Sequence, residues 1–128
     1  MIIENYVSYE VAKLLKDKGF DGVCRYYYPD SHTNLVSYVD CRQFNIFNNE
    51  SCIAPTHQMA MKWLREEHNL FIFPFPQMNT NKFWAEIYQL SDNQEWENLY
   101  CKSIDLQDYS TYEEAVEAAL KYCLENLI

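Results

Sequence analysis

Along the chain, apolar residues recur with two different periods, and the changes between them mark out the elements. From Ser8 to Lys18, Val11, Leu14 and Leu15 form one stripe of a helix, with Ser8 suited to the N-cap and Gly19 to the stop. GVCRYYY (22–28) is rich in strand formers, PDSHTN breaks the pattern and LVSYVD resumes it, which predicts a strand, a turn and a strand. RQFNIF is a possible third extended piece, and NNESC reads as a loop leading into the next helix.

That helix is predicted over residues 57–68. Met59, Ala60, Met61, Trp63 and Leu64 fan across one broad face, opposite Gln58, Lys62, Arg65 and Glu66. LFIFPFPQ then begins as a strand, whose end Pro74 and Pro76 put at a sheet edge or outside the sheet. In the next strand (82–90), Phe83, Ala85 and Ile87 face one way and Trp84, Glu86 and Tyr88 the other. SDNQ is a turn and EWENLYCKSI the returning strand. Thr111 with Glu114, or Ser110 with Glu113, fits a capping box. It opens a last helix striped by Ala115, Val116, Ala119, Leu120, Cys123, Leu124 and Leu127.

Connections between neighbouring strands are too short for helical crossovers, so those pairs should be antiparallel. The expected fold is α+β: a single domain over residues 1–128, with three helices and a mainly antiparallel sheet of about five strands.

Composition narrows the function classes. Apolar residues at 48% and charged residues at 23% indicate a packed domain and not a disordered chain. The net charge of −9 argues against nucleic-acid binding and against an anionic membrane surface. No apolar run approaches the ~18 residues of a membrane span. MIIENYVSYE lacks the basic and apolar regions of a secretion signal. Cys24, Cys41, Cys52, Cys101 and Cys123 form an odd, scattered set, read as free thiols in a reducing, cytoplasmic setting.

Candidate chemistry concentrates in PTHQMAMKWLREEHN (55–69) and RYYYPD (25–30). His57 and His68 lie ~16 Å apart along a helix and cannot share a metal ion. Neither a metal nor another cofactor is expected. Glu67 falls in the apolar sector beside Trp63 and Leu64, where burial would suit it to acid–base work. At a helix end it equally reaches solvent, and that reading is preferred. Cys52 and His57 would form a nucleophile–base pair only by meeting in space. Arg65 either pairs with an acidic neighbour, the expected outcome in an acidic protein, or holds an anion.

In a strand, Tyr26 and Tyr28 share one face and Arg25 and Tyr27 the other. These tyrosines are either half-buried beneath helices or a recognition surface, with His32 at its rim. Arg25, Tyr26, Tyr28, His32, Arg42 and Arg65 are therefore the candidate ligand-binding residues, and no catalytic set stands out.

ENYVSYEVAKLLKDKGF, APTHQMAMKWLREEHN and TYEEAVEAALKYCLENLI together resemble a family of small uncharacterised proteins of gut Bacteroides genomes, prophages and phages. The run P-T-x5-K-W-L-R-E-x-H carries most of the resemblance, matched by Pro55, Thr56, Lys62, Trp63, Leu64, Arg65, Glu66 and His68. It implies a phage or mobile-element context in a bacterial cytoplasm, and it transfers no site residue. Within that context the expectation is a non-catalytic accessory binding protein, a sponge for a nucleotide-like small-molecule signal. With so few cations, a ligand of limited charge suits it better than a highly charged dinucleotide. The alternative is a protein–protein module that blocks a host factor, with its negative charge steering the encounter. A small enzyme built on Glu67, His57 or Cys52 is a third reading. An open sheet edge near Pro74 and Pro76, or an exposed tyrosine face, would favour a homo-oligomer.

Overall fold

A computed structural model of the chain describes residues 2–37, 49–99 and 108–128. Among them the order is α1 (Tyr9–Asp17), β1 (Tyr26–Tyr28), β2 (Val36–Ser37), β3 (Cys52–Ala54), α2 (His57–His68), β4 (Leu70–Pro76), β5 (Phe83–Leu90), β6 (Trp96–Asn98) and α3 (Tyr112–Asn126). The chain is thus an α+β domain, with three helices and two small antiparallel sheets among the described residues, in the orders β2-β1-β3 and β4-β5-β6. No described helix is long and apolar enough to cross a membrane.

Local chemistry sets the helix limits. Ser8 Oγ accepts from Val11 N–H at 3.2 Å and opens α1. Gly19, at φ 88°, closes it: Phe20 N–H reaches the Leu15 carbonyl at 2.9 Å, and Gly19 N–H that of Lys16 at 3.1 Å. This left-handed closure turns Phe20 into the core, edge-on to Trp63 with ring centres 5.6 Å apart. Thr56 Oγ caps α2 through Met59 N–H, and Asn69 ends it at φ 55°. In α3, Thr111 Oγ accepts from Glu114 N–H at 3.0 Å, while the Glu114 carboxylate reaches back to Ser110 N–H at 3.1 Å. The capping box forms, with its return bond placed one residue earlier.

The core lies where α3 packs on β4, β5, α1 and α2. Of its expected stripe, Ala115, Val116, Ala119, Leu120, Cys123 and Leu124 are buried and Leu127 is half-buried. Leu70, Ala85 and Ile87 are the buried residues on the inner face of the second sheet. Cys24, Cys52 and Cys123 are free thiols, and burial pushes Cys24 up to about 11 and Cys123 to about 12.

Four expectations need correction. The strand expected over 22–28 begins only at Tyr26, because its partner β3 is three residues long and gives way to Pro55 and α2. Cys52 is not part of a loop: it starts β3 and pairs with Tyr28. The described strands form two three-stranded sheets where one sheet of about five strands was expected. On α2, Met59 is 37% exposed while His57 is buried, because a carboxylate from α3 meets the His57 ring. The possible strand RQFNIF, with Cys41 and Arg42, lies outside the described residues, as do Cys101 and most of the returning strand after β6.

β4 runs through both prolines as an edge strand among the described residues. Gln77 N–H donates to the Lys82 carbonyl and Leu90 N–H to that of Asn69, which fixes the hydrogen-bonded pairs at odd-numbered β4 positions. Positions 74 and 76 would therefore point their N–H groups away from β5, at the open edge. Proline supplies none, so the edge is blunted without loss to the ladder.

Candidate functional site

Three regions gather side chains capable of chemistry or recognition. The first is a polar knot at the junction of the helices. His57 Nε2 lies 2.7 Å from Glu117 Oε2, and Ser8 N–H donates to Glu117 Oε1 at 2.9 Å. Burial pushes the Glu117 pKa up, but the hydrogen bonds from His57 and Ser8, with the imidazole beside it, outweigh burial and hold it below the ordinary value. Glu117 thereby joins α3 to the first residues of α1 and α2. A cavity of about 370 Å³ lies beside it between α1 and α3. Its charged groups are already matched: Lys121 bridges to Glu10 at 2.9 Å, and Glu114 serves the α3 cap. Little is left there to read a ligand.

The second region is the outer face of β4-β5-β6. Alternation puts Leu70, Ile72 and Pro74 on the inner face with Ala85 and Ile87. It leaves Phe71, Phe73 and Phe75 on the other, across from Tyr88, Glu86 and Trp84 respectively. Trp96 joins them opposite Leu90. Phe71 meets Trp96 edge-on at 4.8 Å and stacks with Phe73 at 6.4 Å, Phe73 meets Tyr88 at 5.6 Å, and Phe75 forms a separate pair with Trp84 at 6.5 Å. Phe73 is 40%, Phe75 39% and Trp96 55% exposed. Glu86 stands within this layer, accepting from the Tyr88 hydroxyl at 2.9 Å. Trp84 Nε1 is screened from solvent and has no acceptor among the described residues.

The third region is a cavity of about 270 Å³ where the N-terminal segment, the approach to β1 and the start of α2 meet. Val7 N–H to the Pro55 carbonyl (3.1 Å) and His57 N–H to that of Asn5 (2.9 Å) hold two of these segments together. Glu4, Tyr6, Arg25, Thr56 and Met59 are among its walls. The ring of Tyr6 is backed edge-on by Tyr26 at 5.0 Å. Burial and the nearby Glu4 push the Tyr6 hydroxyl pKa up, while Arg25 pulls it down.

The structure scatters the residues singled out from sequence. Arg25 lines the third cavity and Tyr26 supports it from behind. Tyr28 is half-buried; its hydroxyl donates to the Val7 carbonyl at 2.7 Å and its ring packs edge-on to Tyr9. Arg25 and Tyr27 do not share a strand face: Arg25 precedes β1 and is exposed, whereas Tyr27 is buried. His32 is exposed in a turn that Asp30 organises by accepting from His32 N–H and from Thr33 N–H and Oγ–H. Arg65 makes no ion pair with a described residue; it stands in the last turn of α2, where a cation complements the helix dipole. Glu67 is exposed, in keeping with the preferred reading. Cys52 and His57 share no hydrogen bond: the Cys52 thiol faces the Glu50 carbonyl, and burial raises its pKa. Among the described residues no group of three His, Cys, Asp or Glu side chains could hold a metal ion.

Sequence reasoning passed over the aromatic layer, the Glu117 knot and the place of Glu4 in the third cavity. The alternating Phe71, Phe73 and Phe75 were the available signal for the first. No protein-family model matches the chain, and no curated protein or solved structure matches it significantly.

Proposed function

We propose that this chain is a non-catalytic binding domain whose outer β4-β5-β6 face docks a protein partner presenting an arginine or lysine within an apolar patch. The observation that carries this reading is the exposed layer of Phe73, Phe75 and Trp96 around Glu86. Those three rings alone expose roughly 250 Å², taking ~150–250 Å² per aromatic side chain. An apolar area of that order is ordinary for a domain surface, so the reading rests on its aromatic make-up and on the carboxylate among the rings. Aromatic rings commonly anchor interfaces, and a carboxylate among them selects a cation. The net charge of −9 steers a basic partner toward the face. In the phage-related context that the sequence resemblance implies, the partner is a host protein and the domain acts by occupying it.

The test is selection from a displayed peptide library, repeated with Phe73→Ala/Trp96→Ala and with Glu86→Gln. Ligands combining a basic residue with aromatic or aliphatic neighbours are expected, with binding lost in the double variant and weakened in Glu86→Gln. Association should slow as salt is raised. Ligands retained equally by all three proteins would remove this face as the site.

A further inference from the structure

The cavity bounded by Glu4, Tyr6, Arg25, Thr56 and Met59 combines features that the other two regions lack. Its carboxylate and its guanidinium are both unspent: neither Glu4 nor Arg25 makes an ion pair with the other or with any described residue. By contrast, the charged groups around the larger α1–α3 cavity each already have a partner within the fold. Thr56 and Met59 bring the first turn of α2 to the wall, and that turn contains no acidic residue. Its His57 and Met59 N–H groups are already bonded to Asn5 and Thr56, so the helix adds only its dipole field to Arg25 on the anion-binding side. The same walls carry a tyrosine ring held in place by Tyr26 and a thioether side chain that adapts to what it meets.

We infer that this cavity binds a small zwitterion, a free α-amino acid with an aromatic or thioether side chain. Its carboxylate lies toward Arg25 and the start of α2, its ammonium toward Glu4, and its side chain against Tyr6 and Met59. Charge decides between ligand classes. A dianionic phosphate meets one guanidinium and is repelled by Glu4, and a simple cation leaves Arg25 unmatched. A zwitterion satisfies both. Size agrees, since about 270 Å³ falls just below the range occupied by drug-sized ligands, ~300–1,000 Å³.

The experiment is isothermal titration calorimetry of the whole chain with L-phenylalanine, L-methionine, N-acetyl-L-phenylalanine, L-phenylalaninamide and GMP. Binding of the two free amino acids is expected. Blocking either end should weaken binding by about twofold to fivefold, the loss of one solvent-exposed charge pair. Glu4→Gln should erase the preference for L-phenylalanine over its N-acetyl form, and Arg25→Gln the preference over the amide. Both residues are exposed, so neither change threatens the fold. Absence of amino-acid binding at millimolar concentration, tighter binding of GMP, or discrimination that survives both substitutions would each overturn the assignment.

Discussion

His57 and Glu117 stand 60 positions apart in sequence, yet Nε2 of one lies 2.7 Å from Oε2 of the other. The same carboxylate accepts Ser8 N–H, so a single side chain on α3 ties together the starts of α1 and α2. A carboxyl whose pKa is lower folded than unfolded adds stability above its unfolded value, about 4.3 for a free Glu. That contribution drains away as pH falls through the folded value. Glu117→Gln is therefore expected to cost about 1–3 kcal/mol at neutral pH by urea denaturation. The gap to wild type should narrow in acid. A gap independent of pH would mean that the carboxylate charge contributes nothing.

The prolines of β4 make the edge of the second sheet testable. Replacing Pro74 and Pro76 together by Thr restores two outward N–H groups on a strand already lined with phenylalanines. Sedimentation should then show self-association of a kind the parent lacks. If both proteins sediment alike, the prolines do not guard this edge.

Trp84 contains a buried indole N–H without a described acceptor. An unsatisfied donor costs about 1–3 kcal/mol, which offsets what the larger ring gains by packing. Trp84→Phe is accordingly expected to stay within about 1 kcal/mol of wild type in guanidinium unfolding, well short of the ~3–5 kcal/mol typical of truncating a buried tryptophan. A loss above that bound would mean that the N–H has found a partner.

Gly19 offers a clean backbone test. A methyl group there would touch nothing within 4 Å, so only its φ of 88° resists substitution. Gly19→Ala should cost roughly 1–2 kcal/mol in thermal unfolding, the penalty of left-handed backbone for a side-chain-bearing residue. An unchanged midpoint would mean that the α1 closure relaxes without loss.

The helices were legible in the sequence because their determinants are local. α2 spans residues 57–68 as its periodicity indicates, and Ser8, Thr111 and Gly19 act within a few residues of themselves. The first half of β4 and the whole of β5 follow from alternation and strand-forming residues in the same way. What the sequence alone determined is therefore the set of helices and main strands, the α+β class, and the net charge of −9.

Only the tertiary structure decided which surfaces are covered and which are left open. LFIFPFP is apolar on both faces, so alternation could not say whether the phenylalanines or the Leu–Ile–Pro series would be covered; α2 and α3 settle it by packing on the second. β3 is three residues long and exists through its pairing with β1, a contact that no local pattern announces. Arg25 was visible as one of few cations, but its neighbours in the cavity come from Glu4 and from the start of α2. Glu117 sits among the helix residues that periodicity leaves polar, and its partner is a histidine on another helix. Periodicity records only which side of an element prefers water. The partner that each side meets is set by contacts between distant segments, and those exist only once the chain has folded.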